Sequence, residues 1–544
     1  MSMKPKIKIR TRNLIAALTA FSASAALAAD YTSRRNADGI TMTLDSGDTV
    51  TATSENGTAL RAANDGILQI NPINGSITVT SNGYTVLATT GGSINLGSGS
   101  VVTSNFQGLH ADNLAAIAAD HVTVTVGSLD TPISSNNARG VEASSTGQIN
   151  LGAGSTVTVY AGTSTMAGIS NAGGTLTATD GLSIEVIGGG FLNSHYAPAI
   201  RTVGGGITDV GTNARITALQ GRGIGSGNVG STVIIGAGAE VEAIQALHVT
   251  NGGQLTATEG TFRGVGVDGT GAVISDGSIS NITNSALSGE KNALFLGSAT
   301  SITSVGPASI TISGGTLTSG TGALIASGTS NQGNSEPTDT TVTIKDGAQA
   351  TSGNGVLYDA SAVATNIGSA VSIIVEGAAT TVDGTFLGNA NIATSLSVSD
   401  GATWASAGAS VMDNLTLADA TVTLSLTALG DGIQAGQLLF GGTGKSDVSF
   451  TVEDSVVFST EVLNAGEYVW DILTGASGDY TANVNWNPTN TSNAYATWEW
   501  ENIGDGQWRM YNIVVSNVPE PATYAALAAL AILAWAALRR RGSQ

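Results

Sequence analysis

From residue 40 to residue 430 the chain keeps restating a few short phrases, none long enough to fold alone. Gly-Ser-Ile-Asn-Leu-Gly-Ser-Gly at 92–99, Gly-Gln-Ile-Asn-Leu-Gly-Ala-Gly at 147–154 and Ser-Thr-Val-Ile-Ile-Gly-Ala-Gly at 231–238 align, with Val102, Val157 and Val241 at the same offset. Gly-Gly-Thr-Leu-Thr-Ala-Thr-Asp-Gly at 173–181 returns as Gly-Gly-Gln-Leu-Thr-Ala-Thr-Glu-Gly at 252–260. A third family is Asp346-Gly347, Glu376-Gly377 and Asp400-Gly401, with Ile344, Ile374 and Val398 two residues before each acid. Inside these phrases apolar residues alternate with Thr, Ser or Asn, as at Val122, Val124 and Val126. A period of two between Gly-rich turns reads as short strands with one buried face. The run Val371 to Val375 breaks the alternation and predicts an offset or bulge there.

Strands this short and one-sided gain stability by stacking on copies of themselves. The fold expected is therefore all-β: a right-handed parallel β-helix, or solenoid, over residues 29–429, with about 20 to 25 residues per coil. The rival is a row of β-sandwich domains. The aligned glycines share no single period, which a solenoid with variable corner loops tolerates. Composition agrees: of 544 residues 73 are Gly but only 9 Pro, which excludes collagen, and the 41% hydrophobic content suffices for a core.

The ends differ from the body. A basic start, the apolar run Leu14 to Ala26 and then Ala26-Leu27-Ala28-Ala29 read as a secretory signal peptide over 1–28, cleaved after Ala28 or Ala29. Near the C-terminus, Val518-Pro519-Glu520-Pro521 precedes an uncharged stretch at 522–538 and then Arg539, Arg540 and Arg541. Seventeen residues rise about 25 Å as a helix, the short limit for a membrane span, and the arginines hold the C-terminus on the cytoplasmic side. A transmembrane helix at 522–538 is expected, weakly hydrophobic because nine of its residues are Ala.

The order Pro519-Glu520-Pro521, apolar helix, arginine cluster resembles the PEP-CTERM sorting signal of exported Gram-negative bacterial proteins. The resemblance implies that 517–544 is a sorting segment recognised by an exosortase-type transpeptidase in the inner membrane. It further implies an inner-membrane-anchored intermediate, delivered onward to the cell surface or to an exopolysaccharide-containing matrix. The repeat phrases are similar to the passenger regions of autotransporter adhesins. The outer-membrane barrel strands of that family are not found, so another route must carry the chain outward.

Composition shifts near residue 430. Trp470, Trp486, Trp498, Trp500 and Trp508 crowd the segment that follows, and two alternating runs flank Asp505-Gly506, a hairpin cue. Residues 430–516 read as a small all-β module capping the last coil, its tryptophans either core or a carbohydrate-binding face. The polar stretch Gly328 to Thr340 reads as an extruded loop.

Several chemistries are disfavoured. Setting aside five basic residues at the N-terminus and three at the C-terminus, 12 basic face 40 acidic residues, a charge that repels nucleic acid. There are no cysteines, and His110, His121, His195 and His248 are scattered, so no metal site or cofactor is expected. Acids before Gly shape turns, although stacked acids at a corner could hold calcium weakly. Gly441 to Ser446 imitates a phosphate loop, and Gly225 to Gly230 a dinucleotide loop, but each leads into a strand, not a helix. The resulting expectation is a non-enzymatic surface or matrix protein, structural or adhesin-like, exported by the secretion translocon and trimmed by signal peptidase. The alternative is a polysaccharide-acting enzyme or carbohydrate-binding protein on the same scaffold.

Overall fold

The structure is a computed structural model. It describes residues 28–515, apart from 54–56, 72–74, 134–137, 163–165, 189–196, 298–305, 329–338, 364–368 and 477–482, and also residues 529–533. The described residues form two compact units, one running to Ala286 and including Gly306, the other from Leu287 onward.

In the first unit three strands make one coil, and each strand pairs in parallel with its counterpart one coil on. Thr49–Ala52, Thr78–Ser81, Val101–Ser104, Thr123–Val126, Thr156–Ala161 and Ser183–Gly188 form one such face. Its register stacks Val50, Val79, Val102, Val124, Val157 and Ile184 in one column, continued by Ile216, Val241 and Phe262. A second face stacks Met42, Leu68, Ile94, Ile117, Ile149, Leu176, Thr208, Val233 and Leu255. Burial alternates along these strands, so every second side chain enters the interior. The parallel ladders exclude a row of antiparallel sandwiches. The recurring phrases now have a physical meaning: Ile94 and Ile149 belong to one column with Ile117 between them.

Thr208 interrupts its column with a polar interior. Asn171, fully buried, donates through Nδ2 to the Ile207 carbonyl at 2.7 Å and to Thr208 Oγ1 at 3.0 Å, while its Oδ1 accepts from the Gly174 N–H at 3.0 Å. Each buried polar atom named here has its partner, which keeps the desolvation cost small.

The third face is built differently. Its strands, such as Gln107–Ala111, Arg139–Ser144 and Ala167–Ala172, bury at least three residues in succession. Gly108, Gly140 and Gly168 lie one above another here. A Cβ on Gly140 would sit 2.4 Å from Val157 Cγ1 and 2.6 Å from the Gly168 carbonyl oxygen. The missing side chain lets this face close against the valine column opposite.

The second unit repeats the scheme. Ile310, Val342, Ile373, Leu396, Leu415 and Leu438 form one column, and Ile312, Ile344, Val375, Val398 and Leu417 lie beside it. The strand Ala370–Glu376 alternates without fault and pairs without a register shift. The offset expected within Val371 to Val375 is therefore absent from the strand, and Ile374 faces outward. The extra residue sits in the following turn, where Ala379 takes φ of 66° beside Gly377 at 89°. By contrast Asp346-Gly347 and Asp400-Gly401 both place two successive residues at positive φ, the tight corner that Asp-Gly favours.

Coil length varies more than expected: the paired residues Thr394 and Asp413 are 19 apart, and Asp447 and Asn485 are 38 apart. The ladder also continues past residue 429. Ile433–Gly441 and Ser446–Val452 pair in parallel with the strands before them and, in turn, with Leu473–Ala476 and Val484–Pro488. Interleaved with these strands, Glu467–Asp471, Gln507–Val515 and Ala496–Gly504 make an antiparallel sheet. The hairpin expected around Asp505-Gly506 is present, with φ of 48° and 74°. A short helix, Thr460–Ala465, was not foreseen; Ser459 Oγ caps its start by accepting from the Val462 N–H at 3.3 Å, and Gly466 ends it.

Among the described residues no helix is long and apolar enough to cross a membrane. The span expected at 522–538 is thus unsupported; its described part, 529–533, is helical. The rest of that stretch, residues 1–27 of the expected signal peptide and residues 329–338 of the expected loop lie outside the described residues.

Candidate functional site

Pro519, Glu520, Pro521, Arg539, Arg540 and Arg541 also lie outside the described residues. Ala28 and Ala29 are described, immediately before the first strand, Asp30–Tyr31. The Ala29 carbonyl accepts from the Thr49 N–H at 2.8 Å, so the chain enters the first ladder at Ala29.

The first unit carries a polar cluster that sequence spacing concealed. His110 aligns with Glu142 one coil on, 32 residues away in sequence. His110 Nδ1 lies 2.8 Å from Gln107 Oε1 and 3.5 Å from Glu142 Oε2, and Nε2 lies 3.3 Å from Ser144 Oγ and 3.9 Å from Asp112 Oδ2. Gln107 Nε2 donates to Glu142 Oε2 at 2.6 Å. Tyr84 meets the His110 ring edge-on at 5.5 Å, and burial, then the charges of Glu142 and Asp112, push its hydroxyl above its ordinary range. These contacts tie three successive coils together across their outer positions. Asp112 Oδ1 is buried without a partner among the described residues. The cluster would have been legible only with the coil length known.

The other candidates resolve into structure. Thr443 and Gly444 of the phosphate-loop mimic donate their N–H groups to Asp419 at 3.0 and 2.6 Å, so the donors an anion would need are taken. In the dinucleotide mimic, the first three residues end the strand Arg215–Gly227. The acids of the third phrase family do not stack, because the extra turn residue sets Glu376 level with Lys345 and Ser399 instead of the Asp positions. Among the described residues no group of three or more His, Asp or Glu is placed to hold a metal.

The tryptophans form a connected cluster. Phe450, fully buried, meets Trp500 at 5.2 Å and Trp508 at 5.3 Å, both edge-on, and Trp508 meets Trp486 at 6.1 Å. Trp470, Trp498 and Trp508 are buried, while Trp486 and Trp500 are half-buried. Trp500 Nε1 donates to the Asn490 carbonyl at 2.7 Å. Edge-on aromatic packing of this kind closes a core, and these rings do not form an aligned exposed platform.

Fold and sequence together define a parallel β-solenoid with an aromatic hairpin packed on its last strands. Residues 517–541 match the family model described as the PEP-CTERM protein-sorting motif. The motif indicates an extracellular protein, exported and processed by an exosortase for delivery to the cell envelope or surface. No curated protein matches the chain.

Proposed function

We propose that the chain is a non-enzymatic, structural or adhesin-like protein of the cell surface or extracellular matrix, made with a cleavable leader and moved by the secretion translocon. The observation that carries this reading is the sorting motif at 517–541. The body supports it. On the alternating faces the stacked columns leave every second side chain outside, many of them Thr, Ser and Asn, which gives a repetitive polar surface suited to many weak contacts with polysaccharide or neighbouring proteins.

Replacing Pro519, Glu520 and Pro521 by Ala tests it. The variant should accumulate as an unprocessed, cell-associated form, detected by intact mass and fractionation. Normal processing and delivery of that variant would sink the reading.

A further inference from the structure

Asp48 is almost wholly buried, 1% exposed, at the start of the second coil. Its Oδ2 accepts from the Asp45 N–H at 3.0 Å, and its Oδ1 accepts from the backbone nitrogen of Ala29 at 2.8 Å. No Lys, Arg or His ion pair reaches this carboxylate among the described residues. A buried carboxylate without a cation is costly. The atom it faces is the nitrogen that becomes the first of the chain if the leader is cut after Ala28.

We propose that Asp48 is the socket of the mature N-terminus, and that the leader is removed at the Ala28–Ala29 bond. The proposal rests on the export reading above. In the cleavage step an exported-side leader peptidase directs water onto the Ala28 carbonyl. The C–N bond breaks, Ala28 keeps the oxygen as a new carboxylate, and the Ala29 nitrogen takes up protons to become an ammonium. Folding then sets that ammonium where the Ala29 amide now lies, against Asp48 Oδ1. One N–H donor is exchanged for three and a full charge, and charge-assisted hydrogen bonds are the strong ones. Cleavage one bond later would remove both the nitrogen facing Asp48 and the carbonyl that accepts from Thr49. Of the two scissile bonds the sequence allows, the geometry favours the first.

The test uses the protein as secreted. Mass analysis of its N-terminal peptide should show a chain beginning at Ala29; a start at Asp30 or elsewhere overturns the proposal. Thermal midpoints at pH 7 are then compared for four secreted proteins: the natural one, Asp48→Asn, and the same pair with one alanine inserted between Ala28 and Ala29 to move the amine outward. Asp48→Asn should lower the midpoint by several degrees in the natural chain and by less than half as much in the extended one. Equal losses overturn the pairing. A chain that keeps its leader at full mass overturns the export reading, and this proposal with it, and is told apart from a shifted start by that mass.

Discussion

His248 lies in the strand Glu240–Thr250, buried, with Nε2 lacking a hydrogen-bond partner among the described residues. Burial first, and the Arg222 charge second, hold its ring well below the usual histidine range, so it is neutral when folded. In the unfolded chain it takes a proton near pH 6.5. The unfolded state therefore binds more protons below that value, and stability falls as pH drops through about 6.5, by up to about 1.4 kcal/mol per pH unit, until the folded value is reached. Denaturant titrations from pH 7.5 to 5 should show this slope, and His248→Gln should flatten it; an unchanged slope in the variant would assign the proton uptake elsewhere.

At the scale of the strand and its neighbours, the glycine column on the third face of the first unit sets the tolerance of the coil. Gly140→Ala puts a methyl group within 2.4 Å of Val157 Cγ1. The expected loss is about 2 kcal/mol, typical of forced overpacking. Gly225→Ala, whose added carbon meets nothing closer than 3.5 Å, should be near neutral. Equilibrium unfolding of the two variants makes the comparison, and equal effects would mean the face is not closed by contact. The alternation at Val122, Val124 and Val126 and the corner at Asp400-Gly401 could be read from sequence because each depends on near neighbours. The Gly108, Gly140, Gly168 column could not, since a glycine that spares a clash looks the same as one that makes a turn. The pairing of His110 with Glu142 stayed hidden for a related reason: it needs the local coil length, which changes from coil to coil. The run Val371 to Val375 was misleading because Ile374 is an apolar residue on the outer side, and the true extra residue, Ala379, lies where no alternation exists to break.

For the molecule taken whole, parallel ladders leave a problem at each end, since a final strand offers unpaired backbone groups to any passing strand. In the second unit the hairpin Ala496–Gly504 with Gln507–Val515 brings Trp500 and Trp508 onto Phe450 beside the last parallel strand, Val484–Pro488. Trp508→Ala should cost about 3 kcal/mol and promote self-association, read as a lower denaturation midpoint and as concentration-dependent mass in light scattering. A variant that stays monodisperse at the natural midpoint would show that the hairpin is decoration. Composition alone signalled such a cap through its tryptophans. It could not show that Glu467–Asp471 joins the cap while Leu473–Ala476, two residues on, returns to the ladder.

Coils of 19 and of 38 residues both continue parallel ladders, the surplus of the longer one lying outside its ladder strands, in the helix Thr460–Ala465 and the cap strand Glu467–Asp471. The consequence is genetic. Recombination between two copies of a phrase adds or deletes a whole number of turns, two between 92–99 and 147–154 and three between 173–181 and 252–260, and the turns on either side still find matching partners. Size thus becomes a trait that descendants can change by whole turns, without inventing a new core each time.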